Sequence, residues 1–457
     1  MNLMVNGRKM TIEADSNGLT LEEISRMSAS AEPIRYPHLV AQVDNQIMEL
    51  HKKINKDCEI NFLDITTTTG YRVYQRSVVF MMILAAREVL GRHIRVIVEH
   101  SINKNYFCEI DKNEKIALTP EIIEKIQQKM EQLVADDLPI QKHSFPIEEG
   151  IAVAKEMHLF DKVELLRYRT TSNVNFYKLD WLYDYFYGHM ASRCGVLGSF
   201  KLKMQDETGF MLIFPNQNKP EEFSELKSLK KISTIFRQSN HWARILKIDT
   251  VGALNHMIGS GQRGDIIRVN EALHEKSIAN IADEIDKAKK KIIMIAGPSS
   301  SGKTTFSHRL CVQLRVIGAK PHTISLDDYY VDREKTPLDK FGKPDFESLY
   351  AIDVEQFSHD LKELLAGNTV NMPKFNFISG KREYKGRFLR LDADDVLVIE
   401  GIHGLNRELS AGLDPEKIYK IFISALTQLN LDDHNRIPAA DTRIIRRMVR
   451  DSQFRSF

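Results

Sequence analysis

Residues 291–305 read Lys-Ile-Ile-Met-Ile-Ala-Gly-Pro-Ser-Ser-Ser-Gly-Lys-Thr-Thr, and this stretch constrains the fold more than any other. Ile292 to Ala296 is a short unbroken apolar run, the pattern of a strand buried on both faces of a parallel sheet. It runs into Gly297-x-x-x-x-Gly302-Lys303-Thr304, the P-loop pattern. Gly297 and Gly302 permit the backbone conformations that turn successive N–H groups toward one anion. The loop Gly297, Pro298, Ser299, Ser300, Ser301, Gly302, Lys303, Thr304 and Thr305 is therefore the expected cradle for the phosphates of ATP. Lys303 supplies a point charge for the β- and γ-phosphates, and the Thr304 hydroxyl can ligate Mg²⁺. A helix from Thr304 to about Val316 adds its positive N-terminal end.

The stretches that follow fit phosphoryl transfer. A second strand is expected at His322–Leu326, delivering Asp327 and Asp328 at its carboxyl end, where ligands of open α/β sheets bind. Transfer to a hydroxyl needs a carboxylate that takes the acceptor's proton while cations spread the charge of the moving group. Asp327 is the candidate base and Asp328 the alternate. Asp394–Glu400 reads as a third buried strand ending in an acid, and Tyr419–Ile423 as a fourth. Thr304, Glu400 and Asp327 are the candidate magnesium ligands. Arg443, Arg446, Arg447 and Arg450 fall at i, i+3, i+4 and i+7, one face of a helix. Like charges so spaced cost roughly 0.2–0.5 kcal/mol per pair, which a facing polyanion would offset, and guanidinium forks suit phosphate. Lys303, Arg447 and Arg450 join Asp327 as the candidate catalytic set, with Arg443 placed on the substrate. The fold class expected here is α/β, a parallel sheet flanked by helices.

The 457 residues exceed one ordinary core, so several domains are expected. A net charge of +2 makes no overall electrostatic case for nucleic acid or anionic membrane. Four scattered cysteines, Cys58, Cys108, Cys194 and Cys311, argue against a disulfide framework or a cysteine-built zinc site. The N-terminus lacks a signal-peptide core, and the longest apolar stretch, Val78–Ala86, is under half a membrane span. A cytoplasmic protein with no membrane partner is expected.

Ahead of the loop, residues 1–65 show a hairpin signal at Asn6-Gly7, a capping box at Thr20 and Glu23, and strand-like runs at 39–43 and 59–63. With Gly18-x-Thr20-Leu21 and Ala41-x-Val43-x-Asn45, this order resembles the TGS domain, a β-grasp module. Residues 66–225 hold a long helical pattern at 72–90, a strand at 106–110 and amphipathic helices opening at Thr119 and Pro146. The run Phe186-Tyr187-Gly188-His189-Met190, then Gly195 and Phe200-Lys201-Leu202, resembles the editing-type second additional domain of threonyl-tRNA synthetases, an α+β fold. In that family the motif carries a cysteine and a histidine where this chain has Phe186 and Met190. The family's upstream histidine pair falls on Arg76 and Phe80. With all four positions altered, the resemblance implies a retained scaffold without deacylase activity. Residues 226–289 read as a charged helical linker with a loop at 260–264. The basic run Lys287–Lys291 and the N-terminal half are the places for any weak RNA contact.

Residues 290–457 resemble the phosphoribulokinase/uridine kinase family. The resemblance rests on the Gly297–Thr305 loop, Ser325-x-Asp327-x-Tyr329-Tyr330, Val398-Ile399-Glu400-Gly401 and Arg446-Arg447-x-x-Arg450-Asp451. It implies that Asp327 is the base, that the arginine helix is a lid over the phosphates, and that Tyr330, Asp345, Phe375 and Arg382 face the acceptor. Three departures bear on the substrate. A ribose-binding aspartate becomes Gly342, a tyrosine becomes Phe375, and a base-reading histidine aligns with Gly380. A site that loses hydrogen-bonding partners changes specificity. The expected acceptor is a small nucleoside-like molecule. The alternatives are a sugar phosphate and, in another class, a nucleotide-gated regulator that binds tRNA or the ribosome. Relatives continue past such a helix, so the chain is read as ending short of part of the nucleotide pocket. It is expected to form a homo-oligomer.

Overall fold

Asn6 and Gly7 take positive φ, 47° and 81°. That is the turn chemistry whose twist matches a two-residue hairpin, and it pairs Asn2–Val5 with Arg8–Thr11. In the computed structural model, which describes residues 1–12, 18–31, 33–223, 230–425 and 429–454, this hairpin edges a five-stranded sheet. Its order is Arg8–Thr11, Asn2–Val5, Cys58–Leu63, Val40–Val43, Gln46–Glu49, with Asn2–Val5 and Cys58–Leu63 parallel. The helix Leu21–Ala31 opens on the expected capping box. The Thr20 amide donates to Glu23 at 2.8 Å and the Glu23 amide to Thr20 Oγ1 at 3.2 Å.

The chain divides into two compact units. One is Met1–Gln262 together with Gln428–Ile437; the other is Arg263–Thr427 together with Pro438–Phe457. The first unit is built around the helix Thr68–Leu90, capped by Thr67. Residues 78–86 are wholly buried along it, each large apolar side chain there contributing about 1.5–3 kcal/mol. A four-stranded antiparallel sheet, Lys201–Asp206, Gly209–Ile213, Asn105–Ile110, Val96–Ile102, belongs to the same unit. So does the helix Pro120–Asp136, whose buried face is Ile123, Ile126, Met130 and Leu133. Among the described residues no helix is long and apolar enough to cross a membrane.

The stretch 226–289 is divided rather than forming one linker, and its first residues, 226–229, lie outside the described residues. Lys230–Leu246 and Val251–Gly259 are helices of the first unit, whereas Arg263–Lys287 belongs to the second. Ile278, Ala282 and Ile285 of that last helix pack on the sheet that carries the loop. A second departure is the return of Gln428–Ile437, inside the expected 290–457 domain, to the first unit. The division of the helices follows from burial, since a charged helix joins whichever core covers its few apolar residues.

In the second unit four parallel strands run in the order Lys320–Ser325, Asp395–Glu400, Ile292–Ala296, Ile418–Phe422. Both faces are covered. Phe306, Leu310 and Leu314 of the helix Lys303–Val316 lie on one face. Phe357, Leu361 and Leu364 of the helix Val354–Leu365 lie on the other. Covering both faces is what demands continuous apolar strands such as Ile292–Ala296.

Candidate functional site

The loop after Ile292–Ala296 takes its shape from close approach. A Cβ at Gly297 would lie 2.1 Å from the Ile423 carbonyl oxygen, so only glycine fits. Ser300 and Gly302 take left-handed φ of 63° and 96°, the backbone of an anion-binding nest. Gly302 offers no side-chain cap to the helix Lys303–Val316, so the helix's first amides can serve an anion. The Ser300 and Ser301 hydroxyls are buried without a hydrogen-bond partner. Lys303 Nζ lies 3.4 Å from the Pro298 carbonyl oxygen, and Thr305 is exposed on the first turn.

At the carboxyl edge of the sheet, the Thr304 and Ser325 hydroxyls both donate to Glu400 Oε1 at 3.2 Å. Glu400 is buried at the end of its strand. Burial pushes the Lys303 ammonium below its ordinary pKa, opposed by the Glu400 and Asp327 carboxylates and reinforced by Arg450. Asp327 sits half-buried on the short 3-10 turn Leu326–Tyr329. Lys303, Thr304, Glu400 and Asp327 are thus brought into one electrostatic neighbourhood. Asp328 is committed elsewhere: it is buried, ion-paired to Lys374 at 3.1 Å, and accepts from the Phe375 amide at 3.4 Å. That separates the two aspartates the sequence left as base and alternate.

The helix Ala439–Phe454 forms as expected, but its arginines divide differently. Arg446 Nε donates to the Ser300 carbonyl at 3.3 Å and Arg450 Nη1 to Ser299 Oγ at 3.3 Å. Arg447, expected among the catalytic groups, is exposed and faces Asp451 at 3.6 Å; Arg443 is also exposed. Arg446 takes the place expected of Arg447. Spacing alone put all four on one face, and only the helix's rotation on the loop selects between neighbours.

Tyr330 and Phe375, two of the residues expected to face an acceptor, form a cluster of edge-on rings with Phe377, with centroids 5.2–6.4 Å apart. Burial, then the Asp327 and Glu347 carboxylates, pushes the Tyr330 phenol up to about 12. Two expected contacts serve structure instead. Asp345 Oδ1 accepts the Glu347 amide at 3.0 Å, an Asx turn. Arg382 pairs with Asp353, the N-cap of Val354–Leu365, at 2.9 Å. Gly380 has φ 69°, and a Cβ there would come within 2.9 Å of the Arg333 side chain, so no histidine fits without rearrangement. Residues missed as site groups are Ser325, Arg446 and Phe377. Ser325 and Arg446 lie inside the motifs of the kinase region and Phe377 two residues past Phe375, and each is distinguished only by where it points.

In the first unit, Phe80, Phe186 and Met190 lie in one hydrophobic core, with the Phe80 and Phe186 rings 5.2 Å apart. Arg76 donates to the His189 carbonyl. Glu49, buried, accepts from the Tyr177 hydroxyl and from the Met190 amide at 3.2 Å. No signal in the local sequence marked Glu49, a strand residue 141 positions from its amide donor.

The sequence model of the Phosphoribulokinase / Uridine kinase family matches residues 292–456. A uridine kinase of Macrococcus caseolyticus is 30% identical over 168 residues, which are 37% of this chain and 72% of that protein. A threonine–tRNA ligase of Clostridium kluyveri is 27% identical over 175 residues, 38% of this chain. The chain spans only about a quarter (26%) of that ligase's length. A solved structure of a possible uridine kinase from Bacillus stearothermophilus is 26% identical, covering 29% of this chain and 70% of that one with a TM-score of 0.25. With the loop, the acid edge of the sheet and the arginine helix in one unit, the family match over residues 292–456 and the 30% identity to a uridine kinase covered over 72% of its length, the chain belongs through those residues to the phosphoribulokinase/uridine kinase family.

Proposed function

We propose that the second unit transfers the γ-phosphoryl group of ATP to a hydroxyl of a small nucleoside-like acceptor. The observation that carries this reading is the convergence of Lys303, Thr304, Glu400 and Asp327 beside a loop whose Ser300 and Ser301 hydroxyls lack partners. The loop amides, Lys303, Arg446 and Arg450 hold the phosphates. Asp327 accepts the proton as the acceptor oxygen bonds to γ-phosphorus and the bond to the ADP oxygen breaks. Thr304 and Glu400, with Asp327 nearby, would hold magnesium, which supplies neutralisation of phosphate charge. Such an ion would complete its coordination with phosphate oxygens and water. The exposed Phe377 ring and Tyr330 offer stacking surface for a base. Gly342, Phe375 and Gly380 remove polar partners, so the acceptor is read by shape and stacking more than by hydrogen bonds.

The first unit is, on this reading, a TGS-like module joined to a non-hydrolytic relative of the ligase editing domain. Support comes from the 27% identity over 175 residues and from the apolar packing of Phe80, Phe186 and Met190. The deciding experiment measures ATP consumption by the full chain against nucleosides, sugar phosphates and pantothenate. Turnover with a nucleoside, lost in Asp327→Asn, is the expected result. Turnover only with a sugar phosphate moves the acceptor class. No turnover together with salt-sensitive RNA binding overturns the enzyme reading in favour of a nucleotide-gated regulator.

A further inference from the structure

Inside the first unit, polar groups gather at a second place, on the other face of the antiparallel sheet from the core that holds Phe186. Val98 pairs with Cys108 and His100 with Phe107, so Glu99 and His100 together oppose one residue. Such a bulge re-aims side chains. Cys108 points into the core with Phe80 and Phe186, and alternation along the strand puts Phe107, and His100 beside it, on the opposite face. A second register shift, between Met204 and Asp206, falls on the far strand of the same sheet. The helix Lys230–Leu246 packs here through Phe236, whose ring stacks on His100 with centroids 4.2 Å apart. Between helix and sheet the described residues leave a cleft of about 520 Å³, the size of sites that take small molecules. It lies wholly within Met1–Gln262.

The floor of the cleft is aromatic, with His100 also leaning on Phe107 at 4.9 Å. His100 is only 3% exposed, yet its Nδ1 has no hydrogen-bond partner, a costly state for a buried polar atom. Burial, then the Arg436 and Arg237 guanidiniums, pushes the imidazole down to about 3, so the ring is uncharged at neutral pH. One wall is the helix, where Arg237, Asn240, His241 and Arg244 fall at i, i+3, i+4 and i+7 and all line the cleft. Glu109, Asp206 and Glu207 line it from the sheet side.

The two signs of charge are paired but not exhausted. Arg237 pairs with Asp206, and Arg244 with Glu99 at 2.9 Å and Glu109 at 2.6 Å. A guanidinium has five N–H donors, and among the described residues both arginines bond only through Nη2. Their other donors can grip a carboxylate. The acids in turn outnumber the arginines. Glu99 and Glu109 share one guanidinium, and the Glu99 carboxyl is pushed up to about 7, by burial first and then by Glu109. A positive group beside them would relieve that crowding.

We propose that this cleft binds a small zwitterion of the amino-acid class, its carboxylate on Arg237 and Arg244, its ammonium on the facing acids, and its body against His100 and Phe107. A simple anion would meet the acids and a simple cation the arginines; a ligand carrying both charges avoids either repulsion. The site belongs to the first unit and does not rest on phosphoryl transfer by the second.

The test titrates the full chain calorimetrically with each common L-amino acid, and with putrescine and succinate as ligands of a single sign. At least one amino acid should bind with a Kd below about 5 mM and slow hydrogen exchange in residues 96–110 and 230–246. Its amide and its N-acetyl derivative should each bind about tenfold or more weakly. Arg237→Gln, a change at an exposed residue, and His100→Phe, which keeps the ring stack without the nitrogens, should each weaken binding about tenfold or more. If His100→Phe does not fold, Arg237→Gln decides. No amino acid binding tighter than about 5 mM overturns the proposal. So does protection confined to other segments, putrescine or succinate binding as tightly as the best amino acid, or unchanged affinity in either folded variant.

Discussion

Two stretches of this chain stand out by motif, the loop at 297–305 and the run at 186–190, and they are packed in opposite ways. At the loop of the second unit, polar groups converge without being used up. Ser300 and Ser301 hydroxyls lack partners, Thr304 and Ser325 share one oxygen of Glu400, and Lys303 is partly desolvated between carboxylates. In the first unit, the surroundings of residues 186–190 are filled. Phe80, Phe186 and Met190 are core side chains, and Arg76 and Glu49 are spent on the His189 carbonyl, Tyr177 and the Met190 amide. Buried polar groups left short of partners are costly, and in the loop two of them, the Ser300 and Ser301 hydroxyls, fall on consecutive residues. Around Phe186 and Met190 apolar packing takes the space instead.

The contrast can be broken at several points, the largest effect first. Asp327→Asn should lower kcat by roughly 10²–10⁴-fold, the range of a lost general base, with ATP affinity nearly intact; a change below tenfold in steady-state kinetics would remove Asp327 from the mechanism. Phe80→Ala should lower unfolding free energy of the first unit by about 3–5 kcal/mol, measured by urea denaturation, while turnover per folded molecule is unchanged. A stability loss under 1 kcal/mol would mean this region is not packed as scaffold. Lys303→Ala should weaken ATP binding by about 2–3 kcal/mol, on the order of 100-fold, in a calorimetric titration.

The acid limb sharpens the comparison further. Burial raises the Glu49 carboxyl, but His189, Tyr177, Lys142 and the Met190 amide outweigh it and hold the group down at about 2. A carboxylate depressed on folding contributes stability above its unfolded pKa of about 4.3 and loses it as pH falls through the folded value. Glu49→Gln should therefore flatten the pH dependence of the first unit's melting temperature between about pH 4.5 and 2. An unchanged acid limb would show that Glu49 is not held as a carboxylate. Finally, deacylation of mischarged tRNA should be absent, since the apolar Phe186 and Met190 stand where the hydrolytic motif carries a cysteine and a histidine; any hydrolysis above background would reverse the reading of that region.

Much of the fold was legible because its signals are local. The Asn6-Gly7 turn, the Thr20–Glu23 capping box, the Thr119 cap and the apolar strand Ile292–Ala296 each follow from residues within a few positions of one another. The backbone of the 297–302 loop was equally legible, since its glycines stand where close approach and a left-handed φ require them. The acceptor side was read less well. Asp345 and Arg382 have the right chemistry for a substrate, and only the three-dimensional surroundings show them spent on a turn and on Asp353.

The sequence alone determined the loop, the parallel strands that carry it and the presence of an arginine helix, because those depend on near neighbours and on periodicity. The tertiary structure alone decided that Arg446 rather than Arg447 reaches the loop, that the helices of 226–289 divide between two cores, and that Asp433 answers Arg95 across 338 positions of chain. Pairings of that kind are set by which surfaces must be buried together, and no local pattern of residues carries that information.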